Sequence, residues 1–115
     1  MGKKILIAED QKDTAEFLGR ILKRKGHEVS VVNDGLKAKK LIDSQHFDIF
    51  LLDCSMPGMT GPELIKDARE HNPNAKVIIF SGYNAIDGKL AGDLGADAFL
   101  HKPLKPEDIE KICDY

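Results

Sequence analysis

Three carboxylates, a hydroxyl and an ammonium group directly follow, or end, the predicted strands of this chain. They belong to Glu9, Asp10, Asp53, Ser81 and Lys102. Because ligands gather where the carboxyl ends of parallel strands open a crevice, we expect these groups to converge at one edge of a sheet. Two carboxylates about 4 Å apart repel each other by roughly 4 kcal/mol at an effective dielectric constant of about 20. Three of them together therefore predict either a raised pKa or a bound cation.

A hard divalent cation suits this set of side chains. Oxygen ligands, with room for water and for phosphate oxygens, favour Mg²⁺ over a soft metal. A carboxylate can also act as a phosphoryl nucleophile by forming an acyl phosphate, and the transfer needs in-line positioning and cations beside the equatorial oxygens. The residue types predict a phosphoryl-transfer site in which Mg²⁺ and Lys102 supply the positive charge.

Short β-rich runs alternate with longer segments of helical periodicity along the whole chain, which is typical of βαβ units. The run Val77-Ile78-Ile79-Phe80 has no polar face, so it belongs inside a parallel sheet that helices cover on both sides. The polar start of the run 28–32 predicts an edge strand. The predicted strands are 4–8, 28–32, 49–52, 76–80 and 98–101.

The predicted helices carry their own boundary signals. Asp13 is predicted to cap the first helix, with Glu16 in the capping-box position and Gly26 beyond its end. Thr60 is predicted to cap the third helix, ahead of a proline at the first helical position. These boundary signals place short helices between the predicted strands, so we expect one compact unit.

The fourth predicted helix, 85–94, has a weaker sequence than the others. It contains Gly88 and Gly92, each of which costs about 1 kcal/mol relative to alanine. We therefore expect it to be the least stable helix and the easiest to shift. The last helix is predicted over 106–115.

Length and composition narrow the class of protein. The chain has 115 residues, of which 42% are hydrophobic and 31% charged, so we expect a single domain over 1–115 that folds alone. The net charge of -2 gives no general attraction for nucleic acid, and apolar runs of about four residues are too short to span a membrane. Two cysteines, Cys54 and Cys113, are too few for a disulfide framework and favour the cytoplasm.

Four motifs in order resemble the receiver domain of two-component response regulators. They are the pair Glu9-Asp10 and the segments 53–61 (DCSMPGMTG), 81–82 (SG) and 95–103 (GADAFLHKP). The resemblance covers essentially the whole chain. It implies a CheY-like, flavodoxin-like α/β fold, with a doubly wound five-stranded parallel sheet of order 2-1-3-4-5 and helices on both faces.

The same resemblance implies the chemistry of a phosphorylated signalling switch rather than an enzyme. Asp53 corresponds to the phosphoacceptor, which receives its phosphoryl group from a sensor histidine kinase or a histidine phosphotransfer protein. Glu9 and Asp10 correspond to the acid pair that holds Mg²⁺ together with Asp53, and Ser55 would add its backbone carbonyl.

The resemblance also implies which residues respond to phosphorylation and which surface then binds a partner. Ser81 corresponds to the hydroxyl residue that binds the phosphoryl group, Lys102 to the lysine that balances its charge, and Phe99 to the aromatic that rotates. We expect a downstream target, or a second copy of the chain, to bind the face made by the predicted fourth helix, fifth strand and fifth helix. Phe99 is equally well explained as an ordinary core aromatic.

Three other functions are open at this point. A haloacid-dehalogenase-type phosphatase would carry a second aspartate two residues after Asp10, where this chain has Lys12. A flavodoxin-like nucleotide binder would have Gly, Ser and Thr in place of Glu9-Asp10, which would repel a phosphate. A receiver-like module that is never phosphorylated would not need the complete acid set. The four histidines lack ligand spacing and are interpreted as solvated.

Overall fold

A five-stranded parallel sheet of order β2-β1-β3-β4-β5 forms the centre of the molecule, which confirms the order that the family resemblance implies. The computed structural model describes residues 2–53, 61–81, 95–102 and 104–113. Asp53 and Ser81 extend β3 and β4 by one residue each beyond the predicted ends, because they pair with Phe80 and His101 of the neighbouring strands. The strands are β1 (Lys4–Ala8), β2 (Glu28–Val32), β3 (Ile49–Asp53), β4 (Lys76–Ser81) and β5 (Ala98–His101).

Helices pack on both faces of this sheet. Alternate residues of the central strands point to opposite faces, so the sheet has two hydrophobic cores. Leu6, Phe50 and Ile79 belong to the core that also contains residues of α2 and α3, whereas Leu51 and Phe80 belong to the core beneath α1 and the C-terminal helix. The described helices are α1 (Lys12–Arg24), α2 (Gly35–Ser44), α3 (Gly61–His71) and the C-terminal helix (Pro106–Cys113).

The helix boundaries correct one prediction and confirm another. Asp13 does not cap α1, since the helix begins at Lys12 and the extended residue Gln11 occupies the cap position without a side-chain hydrogen bond. Asp13 instead lies in the first turn, where its charge favours the positive end of the helix dipole. Gly26 has φ of 94°, the left-handed conformation predicted beyond the end of α1. In α2, Asp34 caps the helix by accepting a 2.8 Å hydrogen bond from the Lys37 N–H.

Arg69, near the end of α3, fixes the approach to β5. Its guanidinium donates to the carbonyl oxygens of Ala75 (2.7 Å) and Gly95 (2.7 Å) and to Asp97 Oδ2 (2.7 Å). Burial alone would raise the pKa of Asp97, but hydrogen bonds from the Val77 N–H and from Arg69 hold that pKa below its usual value. These bonds join the segment before β5 to the end of α3 and to the start of β4.

Several predicted features lie outside the described residues. They are the Thr60 cap, the helix 85–94 with Gly88 and Gly92, and the last two residues of the predicted helix 106–115. Among the helices that the structure describes, none is long and apolar enough to cross a membrane.

Candidate functional site

The predicted acidic residues meet at the carboxyl edge of the sheet. Glu9 directly follows β1, and its N–H donates to the Val32 carbonyl at 3.0 Å, which fixes the start of the loop. Asp53 is the last residue of the central strand β3. Asp10 completes the group, and one carboxylate oxygen from each of the three residues lies within 4.8 Å of the others. We call these three residues together with Lys102 the acidic pocket.

Lys102 supplies the positive charge at the same place. Its Nζ lies 2.6 Å from Glu9 Oε1 and donates to Asp53 Oδ2 at 3.2 Å. The ammonium also lies 5.2 Å from the centroid of the Phe80 ring, a cation–π distance that holds the side chain over β4. Sequence analysis missed Phe80 as a site residue. Phe80 lies opposite Asp53 in the sheet, but this register is known only from the structure, so no sequence signal indicated the contact.

Burial sets the electrostatics of the acidic pocket. Glu9 is 0% exposed and Asp53 is 3% exposed, whereas Asp10 is exposed to solvent. Burial, together with the neighbouring Asp53, raises the pKa of Glu9 to about 8, although Lys102 opposes the shift. For Lys102, burial alone would lower the pKa, but the carboxylates of Glu9 and Asp53 outweigh it and raise that pKa above its usual value.

The residues present fit a hard divalent cation. Neither carboxylate oxygen of Glu9 has a well-directed hydrogen bond from the residues that the structure describes, and the 2.6 Å contact with Lys102 is an ion pair. The ligands offered by Glu9, Asp10 and Asp53 are all oxygens. A neighbouring pocket of about 460 Å³, lined by Glu9, Asp10 and Asn33 among others, leaves room for water. An all-oxygen site with room for water is what Mg²⁺ prefers.

Of the three further predicted residues, Phe99 is the one whose side-chain contacts the structure describes. Ser55, expected to add its carbonyl, lies outside the described residues, and of Ser81 only the position at the end of β4 is described. Phe99 lies in β5 opposite Ile79, packs against the core beneath α2 and α3, and meets the ring of His101 edge-on at 4.7 Å between centroids. The contact with the core agrees with the alternative interpretation, in which Phe99 is an ordinary core aromatic.

One of the four histidines, His27, is not solvated, so that interpretation was wrong for it, whereas His71 is exposed as expected. His27 is half-buried, and its Nδ1 accepts a 3.0 Å hydrogen bond from the Lys3 N–H. Burial lowers the pKa of His27. His71 contacts two carboxylates, Asp43 and Asp67, at a place remote from the acidic pocket.

The comparisons with known proteins agree with this geometry. A family model described as the response regulator receiver domain matches residues 5–114. The chain belongs to the response regulator receiver family. Receiver domains are signalling switches rather than enzymes in the usual sense, and their partners are histidine kinases or phosphotransfer proteins. The membership excludes the phosphatase and the nucleotide binder that the sequence alone left open.

A curated relative shows how far the similarity extends along both chains. It is 32% identical over 108 residues to the transcriptional regulatory protein TctD of Salmonella typhimurium, and the match covers 93% of this chain and 48% of TctD. The chain thus spans about half the length of the curated relatives it matches.

Solved structures show the same fold. A CheY-like receiver domain from Methanospirillum hungatei superposes with a TM-score of 0.90 at 31% identity, covering 99% of this chain and 93% of that one. The response regulator TrrA of Thermotoga maritima, solved in complex with Mg²⁺ and beryllofluoride, superposes with a TM-score of 0.85 at 29% identity and 97% coverage of both chains. This receiver domain therefore has the CheY-like fold.

Proposed function

We propose that this chain is a phosphoacceptor receiver domain, which takes a phosphoryl group from a histidine kinase or a histidine phosphotransfer protein onto Asp53. The observation that carries the proposal is the position of the Asp53 carboxylate. It lies nearly buried at the end of the central strand, 3.2 Å from the Lys102 ammonium and within 4.8 Å of ligand oxygens of Glu9 and Asp10. Among the carboxylates that the structure describes, Asp53 is the one that is itself the last residue of a strand and that also lies beside a lysine and two further acids.

In the proposed reaction, a phosphoryl group passes from an imidazole nitrogen of the donor to a carboxylate oxygen of Asp53. A carboxylate oxygen of Asp53 attacks the phosphorus of the donor's phosphohistidine, the P–N bond breaks as the P–O bond of an acyl phosphate forms, and the leaving imidazole takes a proton from solvent. Lys102 is already 3.2 Å from Asp53, so its charge balances the transferred group without a large movement. The product is a covalent signal on Asp53, and no further chemical output is required.

The metal in this proposal is Mg²⁺. Glu9, Asp10 and Asp53 would hold it, with the backbone carbonyl of Ser55 as a further ligand. When bound, Mg²⁺ would neutralise charge on the phosphoryl oxygens. Repulsion among the three carboxylates supports this proposal, and so do the two Glu9 oxygens that accept no well-directed hydrogen bond from the described residues. The structure of TrrA, solved in complex with Mg²⁺, supports it as well.

Phosphorylation is proposed to change how the domain binds its partners. The new negative charge would draw in the Ser81 hydroxyl and Lys102, and Phe99 would turn into the space left behind. Phe99 and Lys102 belong to β5 and the residue after it, so a change at the acidic pocket reaches this strand directly. We propose that the face made by the predicted helix 85–94, β5 and the C-terminal helix binds a downstream protein or a second copy of the chain, and that residues 1–115 act as one receiver domain.

Intact mass spectrometry tests the proposal. Incubation of the purified protein with acetyl phosphate and Mg²⁺ is expected to add the mass of one phosphoryl group, and Asp53→Asn is expected to abolish the addition. Asp13→Asn is the matched control, because Asp13 is an exposed carboxylate in the first turn of α1 near the same edge of the sheet. Full modification of the Asp53→Asn variant would show that another residue is the acceptor. No modification of the wild type would instead favour a receiver-like module that is never phosphorylated.

A further inference from the structure

A second group of charged side chains joins α2 to α3. Lys39 and Asp43 come from α2, and Asp67 and His71 come from α3. We call these four residues the α2–α3 cluster. His71 is the last residue of α3, and the chain turns from there into the start of β4, so the cluster lies toward the amino ends of the strands, away from the acidic pocket.

Three members of the cluster have the geometry of metal ligands. One donor atom each from Asp43, Asp67 and His71 lies within 4.8 Å of the others. The Nδ1 atom of His71 lies 3.0 Å from the backbone carbonyl oxygen of Asp67, and its Nε2 atom lies 3.4 Å from Asp43 Oδ1. Because a carbonyl oxygen only accepts hydrogen bonds, Nδ1 is the donor of this contact, and in the neutral form of the ring Nε2 has the lone pair that a metal would bind. Histidines that bind metals are commonly oriented in this way, with the other nitrogen donating to a carbonyl.

Asp67 is the second observation that points to a ligand. The residue is only 9% exposed, and its Oδ2 atom is buried with no hydrogen bond from any residue that the structure describes. The other oxygen, Oδ1, accepts from Lys39 at 3.2 Å. A buried carboxylate oxygen without a partner is costly, and a cation beside it would remove that cost.

Lys39 shows that the cluster already attracts a cation. Its Nζ lies 3.0 Å from Asp43 Oδ2 and 3.2 Å from Asp67 Oδ1, and hydrogen bonds to both carboxylates raise the pKa of Lys39. The lysine side chain is 43% exposed, so it can swing into solvent without disturbing the core. A single charge on a flexible stem leaves room for a divalent ion to replace it.

We propose that Asp43, Asp67 and His71 form a binding site for a divalent transition-metal ion that displaces Lys39 and ties α2 to α3. Two carboxylates and one imidazole suit borderline ions such as Zn²⁺, whereas Mg²⁺ prefers a site made of oxygens alone. Asp43 and His71 are exposed at the rim of the cluster, so water completes the coordination. The site is independent of the acidic pocket and of phosphorylation.

Zinc titration tests this site. Isothermal calorimetry with ZnCl₂, in excess Mg²⁺, is expected to show a site whose affinity falls at least about tenfold in His71→Ala, because loss of a residue that only orients a metal ligand already costs about that much. His46→Ala is the matched control, because His46 is an exposed histidine just after α2. Asp10→Asn tests whether zinc binds in the acidic pocket instead. Both are expected to leave the site intact, and zinc is expected to shift the ¹⁵N resonance of His71 Nε2.

The Lys39→Met variant tests the proposal through an expected gain, rather than a loss, of zinc affinity. Removal of the competing ammonium is expected to raise the zinc affinity several-fold, whereas the control Lys40→Met, an exposed lysine next to it on α2, leaves it unchanged. A purely structural cluster would show no such gain. The proposal is overturned if the wild type binds no zinc, if His71→Ala binds as tightly as the wild type, if Asp10→Asn removes the site, or if Lys39→Met gives no gain. None of these outcomes bears on phosphorylation of Asp53.

Discussion

The acidic pocket and the α2–α3 cluster bring together the same kinds of groups in different surroundings. Each has carboxylates around one lysine, at N–O distances between 2.6 and 3.2 Å. The Lys102 side chain is 15% exposed and lies against the fully buried Glu9, whereas the Lys39 side chain is 43% exposed. The energy of a charge pair grows as water is excluded from it, so similar distances do not mean similar effects. Burial, more than distance, makes the pocket able to respond to a ligand.

The two regions also differ in the secondary structure that positions their side chains. In the pocket, Glu9, Asp53 and Lys102 follow or end three different strands, whose positions are fixed by the hydrogen bonds of the sheet. In the cluster, each helix contributes a pair of residues four apart, an arrangement in which side chains meet on one helical face. The pocket is therefore rigid at the backbone, while the cluster can rearrange through its side chains.

The largest effect is expected from Lys102→Met. Without the ammonium, buried carboxylates lose their partner, and breaking a buried pair in this way costs about 3 kcal/mol or more. We expect a cost near that lower bound in metal-free protein at neutral pH, because Glu9, with its pKa raised to about 8, is already largely protonated there and Asp53 is the carboxylate that loses an ionic partner. Urea unfolding in EDTA measures the cost, and Mg²⁺ is expected to restore part of it. Lys105→Met, at an exposed position three residues on, is the control. Equal losses in the two variants would show that the pocket has no special electrostatics.

The pH dependence of stability is expected to be the next largest effect. The pKa of Glu9 rises from 4.5 to about 8 on folding, so the folded state binds more protons than the unfolded state between those values. The stability that Glu9 contributes is therefore fully present below about pH 4.5 and is lost as the pH rises toward 8. The slope is limited to about 1.4 kcal/mol per pH unit for one group.

Urea unfolding of metal-free protein at pH 5.5 and pH 8 measures this slope, and Glu9→Gln is expected to reduce it. In saturating Mg²⁺ the same slope is expected to shrink, because the metal requires the ionised carboxylate. An unchanged slope in Glu9→Gln would mean that another group is responsible. Asp97 titrates in the other direction and at lower pH, so its contribution lies outside this window.

The two regions also show what sequence can and cannot predict. Glu9, Asp53 and Lys102 were predictable because strand ends in a parallel sheet share one edge, and the apolar runs marked those ends. The contact of Lys102 with Phe80 and the full burial of Glu9 depend on how side chains fill that edge, which no spacing reveals. The roles of these residues, and the positions of Ser55 and the helix 85–94, remain predictions.

The α2–α3 cluster could not be predicted in the same way. Asp43 and His71 are on different helices, and nothing in the sequence between them indicates that the two helices cross at these residues. The distance between their side chains is set by how α2 and α3 pack on the shared core. Asp13 shows the same limit at shorter range, since its spacing to Glu16 suggested a capping box but the cap residue is Gln11, two residues earlier. Local pattern predicted the elements better than it predicted contacts between them.

The smallest effect is expected from Lys39→Met in metal-free protein. The lysine bridges Asp43 and Asp67 as Lys102 bridges Glu9 and Asp53, but its ammonium is open to water, which screens the attraction. We expect the urea midpoint of Lys39→Met to lie close to that of Lys40→Met, and well above that of Lys102→Met. High salt should change the Lys39 variant and the wild type alike, because exposed pairs are already weak. A loss as large as that of Lys102→Met would mean that the buried carboxylate of Asp67, rather than solvent exposure of the lysine, governs the cluster, and the contrast between the two regions would fail.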